Sequence, residues 1–256
     1  ALSYHRLALA VDSTFPEVNL NMGVCFFRQG DDDSARCYFE REARLHPLRA
    51  KSWVNLASLE LVNGRVDQAL AYASRAVEKR PFDITANMIL VRAAAASDQV
   101  SDDSLSSLAR WAVERAGADV FLLSDMAQQM VQRGLFALAE SLLERSITTR
   151  PPPIETDDEA FRPNYRNIPD NRRRRQARAH FQLGYLYGQQ QRYREAVYQS
   201  DLAVRKDSTL AEAYVNLISG LMATGEFLRA RSVVDVAAKR FPQDTLIGQL
   251  KVLLMQ

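Results

Sequence analysis

Pro47 and Pro81 lie 34 residues apart, and each follows a helix-patterned stretch that ends in basic residues. Their surroundings repeat with them. Upstream of Pro47 stand Gly23, Gly30, Ala35 and Phe39, and the same offsets before Pro81 hold Ala57, Gly64, Ala69 and Ala73. A period of this length suits a helix-turn-helix unit that cannot bury its apolar face alone and must stack on neighbours. The same ruler finds Gly184, Tyr187, Ala196 and Ala203, then Leu217, Leu221, Gly225, Ala230, Ala237 and Pro242. In the middle, Met126, Ala127, Met130, Gly134, Ala139 and Pro151 match once more. The unit from Ile84 to Asp119 is the loosest, two residues longer, with Gly117 where the others carry proline.

The spacing has a mechanical reason. Small residues recur where the two helices of a hairpin cross, because Gly or Ala lets the backbones approach while large neighbours fill the layer. Gly23 with Ala35, Ala57 with Ala69, and Gly184 with Ala196 sit 12 apart across the turn. Gly30, Gly64, Gly134 and Gly225 mark turns that end the first helix of a unit in a left-handed conformation. Pro47, Pro81, Pro151 and Pro242 end the second.

These residues resemble the tetratricopeptide repeat family. The fit is best from Ala50 to Asp83, where Trp53, Leu56, Ala57, Gly64, Ala69, Ala76 and Pro81 follow the family's small-and-large pattern. Glu60 departs from it, standing where an aromatic is usual, and Glu42 stands where a small residue is usual. The resemblance implies an all-α fold, a right-handed superhelical solenoid of helix-turn-helix hairpins. The expected organisation is one array over 1–256, with a partial unit at 1–15 and units starting near Pro16, Ala50, Ile84, Val120, Ala177 and Ala211. A C-terminal helix at 245–256 follows, with Leu246, Ile247, Leu250, Leu253 and Leu254 on one stripe. Ala1, Leu2, Tyr4, Ala8 and Leu9 read as the second helix of a unit lacking its first, so a piece of a longer protein is expected.

The ruler breaks at 154–176. Pro151, Pro152 and Pro153 give way to Glu155, Asp157, Asp158 and Glu159, then Phe161, Pro163, Tyr165, Ile168 and Pro169, then Arg172 to Arg175. So long a loop in a compact array is functional or disordered. Proline density argues against helix across most of it. Asp170 or Asn171 is expected to cap the next helix, with the four arginines as its solvated first turns. Phosphate or nucleic-acid binding by those arginines is the lesser reading, since the acids nearby nearly neutralise them and aromatics are too sparse for base stacking. Phe161, Tyr165 and Ile168 are expected to dock the insertion on the groove edge near Gln128, Phe181 and Tyr185.

Chemistry is sparse. His5, His46 and His180 fall in different units without metal-ligand spacing, and Cys25 and Cys37 are expected as two free thiols rather than a zinc or disulfide pair. No phosphate-cradling glycine motif, HExxH or nucleophile elbow occurs in the sequence. Asp31 with Asp32, and Asp102 with Asp103, read as helix caps at turns. No active site, cofactor or metal is expected. Lys and Arg number 33 against 31 acids, a formal net charge of +2, so no global field gathers nucleic acid or anionic lipid. No membrane span or signal peptide is legible, the protein is expected to be soluble, and its compartment is unmarked.

In this family the first helices of successive units line a concave face, and the resemblance implies that peptide or protein segments bind there. Six places into each unit stand Asn21, Asn55, Ile89, Asp125, Gln182 and Asn216, a mostly polar ladder suited to an extended backbone. Leu20, Val24, Phe27, Val54, Ser58, Leu61, Arg92, Gln128, Phe181, Tyr185, Val215 and Ser219 are further groove-side candidates. The basic set with which chaperone-binding members grip a C-terminal carboxylate is missing, with Leu20, Val24, Thr85 and Ile89 in its places. The partner-binding set expected is therefore Asn21, Asn55, Arg92, Gln128, Phe181, Gln182, Tyr185 and Asn216. The protein is expected to act as a non-enzymatic scaffold or adaptor for a protein or peptide segment, within a larger complex. The alternative is a recruiting or regulatory domain of a larger enzyme or envelope assembly protein, such as a glycosyltransferase or polysaccharide-export component.

Overall fold

A computed structural model describes residues 2–117, 120–149 and 168–255. The protein divides into two compact units, Ala1–Leu122 and Leu123–Gln256. In the first stand α1 (Leu2–Val11), α2 (Val18–Arg28), α3 (Asp32–Leu45), α4 (Ala50–Val62), α5 (Val66–Lys79), α6 (Ile84–Ala96) and α7 (Asp102–Ala116). The second contains most of α8 (Val120–Gln132), then α9 (Phe136–Thr148), α10 (Ile168–Gln189), α11 (Tyr193–Lys206), α12 (Ala211–Ala223), α13 (Phe227–Arg240) and α14 (Thr245–Met255). Among the described residues there is no strand, and the all-α class expected from the sequence holds. No helix among them is long and apolar enough to cross a membrane.

Consecutive helices pack on one another from α1 to α7 in the first unit and from α9 to α14 in the second. Alternate helices also touch: α2 on α4 and α4 on α6 in the first unit, α10 on α12 and α12 on α14 in the second. That pattern is what stacked hairpins produce, since the first helix of each hairpin meets both its own partner and the first helix of the next. Gly30, Gly64, Gly134 and Gly225 all turn with φ between 71° and 78°, the left-handed region in which a Cβ is strained. The hairpin of α10 and α11 turns on Gln191 instead, at φ 60°, which no glycine in the sequence announces. The segments between hairpins share another device. Asn19 donates to the Ser13 carbonyl (3.1 Å), Trp53 to that of Pro47 (3.5 Å) and Asn87 to that of Pro81 (2.9 Å), each six residues earlier. A single repeat position thus pins three successive connections.

Some sequence expectations shift. Asp31 caps α3 by accepting from the Ser34 N–H at 3.1 Å, but α7 is capped by Ser101, and Asp102 and Asp103 lie within its first turn. They suit the positive end of the helix there without serving as the cap. Helix α10 begins at Ile168, well inside the expected insertion, so Asp170 and Asn171 are helical residues and not its cap. Pro169 is tolerated because an N–H at the first turn has no helical acceptor to lose. The remainder of the insertion, with Pro151, Phe161 and Tyr165, lies outside the described residues, and so does its expected docking. On α14, Ile247 and Leu254 are buried and Leu250 is half-buried, while Leu246 and Leu253 face outward. Both cysteines are free thiols.

The helix crossings are tight. A Cβ added at Gly23 would lie 2.5 Å from two ring carbons of Phe39, and one at Gly184 would lie 2.6 Å from Ser200 Oγ and 3.2 Å from the Ala196 carbonyl oxygen. Ala57 and Ala69 are fully buried. Glu60, the departure from the aromatic pattern, is also fully buried, and its two carboxylate oxygens are gripped separately by Arg36 of α3 and Arg65 at the start of α5. Glu42 reaches the Glu17 N–H at 2.9 Å and so holds the entry to α2. Each acid replaces packing with a polar tie between neighbouring segments.

These contacts set two expected outcomes. Gly184→Ala should destabilise by about 1–3 kcal/mol through overpacking, whereas Gly248→Ala, whose added Cβ meets nothing within 4 Å, should stabilise by roughly 0.5–1 kcal/mol. Denaturant midpoints measure both. Removing both arginines in Arg36→Ala/Arg65→Ala strands a buried carboxylate and should cost about 3–5 kcal/mol. Glu60→Gln should cost less, because the arginines it releases are partly exposed and can hydrate; a larger loss for Glu60→Gln in the same titration would contradict this asymmetry.

Candidate protein-interaction site

The expected groove residues fall into two groups, one in each unit. In the first, Asn21 on α2 and Arg92 on α6 are exposed and Asn55 on α4 is half-buried. Two expected neighbours, Leu20 and Val54, and one ladder position, Ile89, are not available. Leu20, Val54 and Ile89 are 8%, 9% and 4% exposed and belong to the hydrophobic core with Phe39, Ala57 and Ala86. The reason is geometric: α4 is flanked by α2, α3, α5 and α6, which leaves only a narrow strip of its surface open.

In the second unit four of the expected residues converge. Gln128 of α8 and Phe181, Gln182 and Tyr185 of α10 line one cavity of about 190 Å³, completed by Ala127 and Val131 of α8 and Leu143 of α9. Phe181 and Tyr185 are one helical turn apart and so share a wall. Phe181 is half-buried, while Tyr185 remains 44% exposed at the mouth. The floor is apolar and the rim is neutral amide and phenol. Asn216, at the equivalent place on α12, is half-buried, and Ser219 one turn further on is exposed. Gln182 Oε1 and Asn216 Nδ2 are shielded from solvent and make no hydrogen bond within the protein.

The cavity depends on how α9 meets α10, two helices not joined by a short turn. Glu140 of α9 fixes that seam. Its Oε1 accepts from the Tyr187 hydroxyl at 2.9 Å and its Oε2 from Arg192 at 2.9 Å, while the Arg192 guanidinium stacks 4.1 Å from the centre of the Tyr187 ring. Gln176 adds a bond to the Ile147 carbonyl at 3.2 Å, and Lys206 of α11 donates to Gln176 at 3.1 Å. Sequence reasoning missed Glu140 and Arg192, which stand 52 residues apart with no local spacing to link them. Tyr187 was legible only as a repeat position. His180, buried on α10, bonds Gln199 at 2.7 Å and has its pKa lowered by burial, which makes it an inter-helix residue. Among the described residues no group of three or more His, Cys, Asp or Glu could hold a metal ion.

Burial, and then the bond to Glu140, pushes the Tyr187 phenol up to about 12. A raised pKa favours the neutral phenol in the folded state, so this contribution is complete below the unfolded value near 10 and is lost as pH climbs toward 12. The stability difference between the parent protein and Tyr187→Phe should therefore be constant from about pH 7 to 9 and shrink above about pH 10. Urea titrations at each pH measure it, and a difference that grew with pH would reverse the assignment.

Residues 20–84 and 177–197 match family models described as tetratricopeptide repeat. No curated protein matches this one in sequence. Solved structures share its fold at low identity. A component of the APC/C hetero-tetramer Cut9-Hcn1 is 12% identical with a TM-score of 0.59, covering 98% of this protein and 45% of its own length. PilW, a type IV pilus biogenesis factor, is 14% identical with a TM-score of 0.61, covering 91% of this protein and 97% of its own length. YrrB, described as a TPR protein with an unusual peptide-binding site, is 17% identical with a TM-score of 0.52, covering 84% and 97%. The present sequence thus spans less than half of the Cut9-Hcn1 component it matches. The 34-residue hairpins, their glycine turns and small-residue crossings, and the two matched stretches together support a tetratricopeptide repeat family for the protein.

Proposed function

We propose that the protein is an interaction scaffold whose second unit grips a segment of a partner protein, with the cavity between α8, α9 and α10 receiving an anchor side chain. The observation that carries this reading is the convergence of Gln128, Phe181, Gln182 and Tyr185, from two helices, on one opening. Its volume of about 190 Å³ is below the roughly 300–1,000 Å³ of pockets that enclose whole small molecules. A single side group of a longer ligand fits that scale. The peptide-binding site named for YrrB, a protein of the same fold, supports the reading in kind. Asn21, Asn55 and Arg92 are proposed as contacts of the first unit in their own right.

Site-directed photocrosslinking tests this in the native cell. A benzophenone side chain placed at Tyr185 should label a partner segment, identified by mass spectrometry. The same group at Tyr198, 63% exposed on α11 and outside the cavity, should not label it. Equal labelling at both positions would remove the cavity from the proposal.

A further inference from the structure

We infer that the segment bound by the second unit is uncharged along its contact and extended, with one large apolar side chain as its anchor. This rests on the proposed binding at the cavity and specifies its chemistry. The lining supplies hydrocarbon from Ala127, Val131, Leu143 and Phe181, and its polar atoms belong to two amides and a phenol. A carboxylate or phosphate brought against it would lose water with no cation among the lining residues to replace it, and an ammonium would meet no carboxylate. Asp125, the carboxylate of the ladder, is half-buried, interacts within the protein and does not line the cavity.

The backbone of the ligand has its own match. Gln182 Oε1 is an acceptor and Asn216 Nδ2 a donor, both without hydrogen bonds inside the protein, on the packed helices α10 and α12. Rotation of each half-buried amide toward the open face offers one acceptor for a peptide N–H and one donor for a peptide C=O. A peptide backbone running from the cavity across α12 satisfies both, independent of its side chains. Specificity then comes from the anchor, and charge contributes little to affinity.

Selection of a displayed random dodecapeptide library on the 256-residue protein tests this, with the Gln128→Trp variant, which fills the cavity mouth, as the comparison. Enriched peptides should share one aromatic or long aliphatic residue and no fixed charged position. Synthetic copies should bind with affinity that changes less than about threefold between roughly 50 and 500 mM salt. Binding should fall about tenfold or more in Tyr185→Ala, as expected for an anchor contact, and in Gln128→Trp, with thermal unfolding matching the parent in both; Tyr185→Phe should keep it. A fixed acidic or basic position, or a loss of more than about tenfold with salt, overturns the inferred chemistry while cavity-dependent binding still supports the proposed function. Peptides that bind Gln128→Trp and the parent equally, or a library that yields none, overturn both.

Discussion

Close approach of paired helices at small residues is the constraint from which the rest of the structure follows. At Gly23 the Phe39 ring occupies the space a Cβ would need, and at Gly184 the Ser200 side chain and the Ala196 carbonyl do the same. Such contact brings two backbones near enough for their flanking large residues, such as Leu56 and Leu59 or Leu183 and Leu186, to close into a dry layer. The layer then determines which helical faces are left over. Because a first helix such as α4 meets its own partner and two alternate neighbours, its free strip is narrow; Leu20 and Val54, one position from the ladder, and Ile89, on the ladder itself, are drawn into the core.

Charge takes over where the small-and-large pattern is interrupted. Glu60 fills a buried place in the layer and is held by arginines from both adjoining helices, so a potential weakness becomes a tie between consecutive hairpins. Glu140 acts in a related way at the seam of α9 and α10, accepting from Tyr187 and Arg192 at once. The two cases differ in setting. Glu60 is fully buried and its removal relieves a desolvated charge, while Glu140 is partly hydrated and acts mainly by orienting an aromatic and a cationic group.

Much of the fold was legible because period and turn chemistry are local. The left-handed glycines at 30, 64, 134 and 225 and the prolines at 47, 81 and 242 each report a backbone requirement within a few residues. Where a feature depends on distant partners, sequence reasoning was partial. Nothing around Gln191 signals that it takes a positive φ, and the basic run at 172–175 did not reveal that α10 starts at Ile168, because an early proline is compatible with both a loop and a first turn. Half of the expected site residues meet in one cavity, since they lie on the same face of α10 or opposite it on α8. The contribution of Leu143 was not legible, because no residue spacing carries the angle between α9 and α10.

Fold and binding draw on different positions of the same repeat, and this separation lets one residue be costly to the first and useful to the second. A buried polar atom without a hydrogen bond costs roughly 1–3 kcal/mol, so the amides of Gln182 and Asn216 are liabilities in a closed core. The crossings at Gly184 and Ala196 within one hairpin, and at Gly220 against Val197 between that hairpin and the next, offset that cost without using either amide. The unmet hydrogen-bonding capacity therefore persists in the folded protein, with Gln182 at the lining of the cavity and Asn216 on the helix packed beside it. On the proposed binding, a ligand that supplied a backbone N–H, a backbone carbonyl and one apolar side group would meet both amides and the cavity at once, which a small polar molecule or a charged group would not.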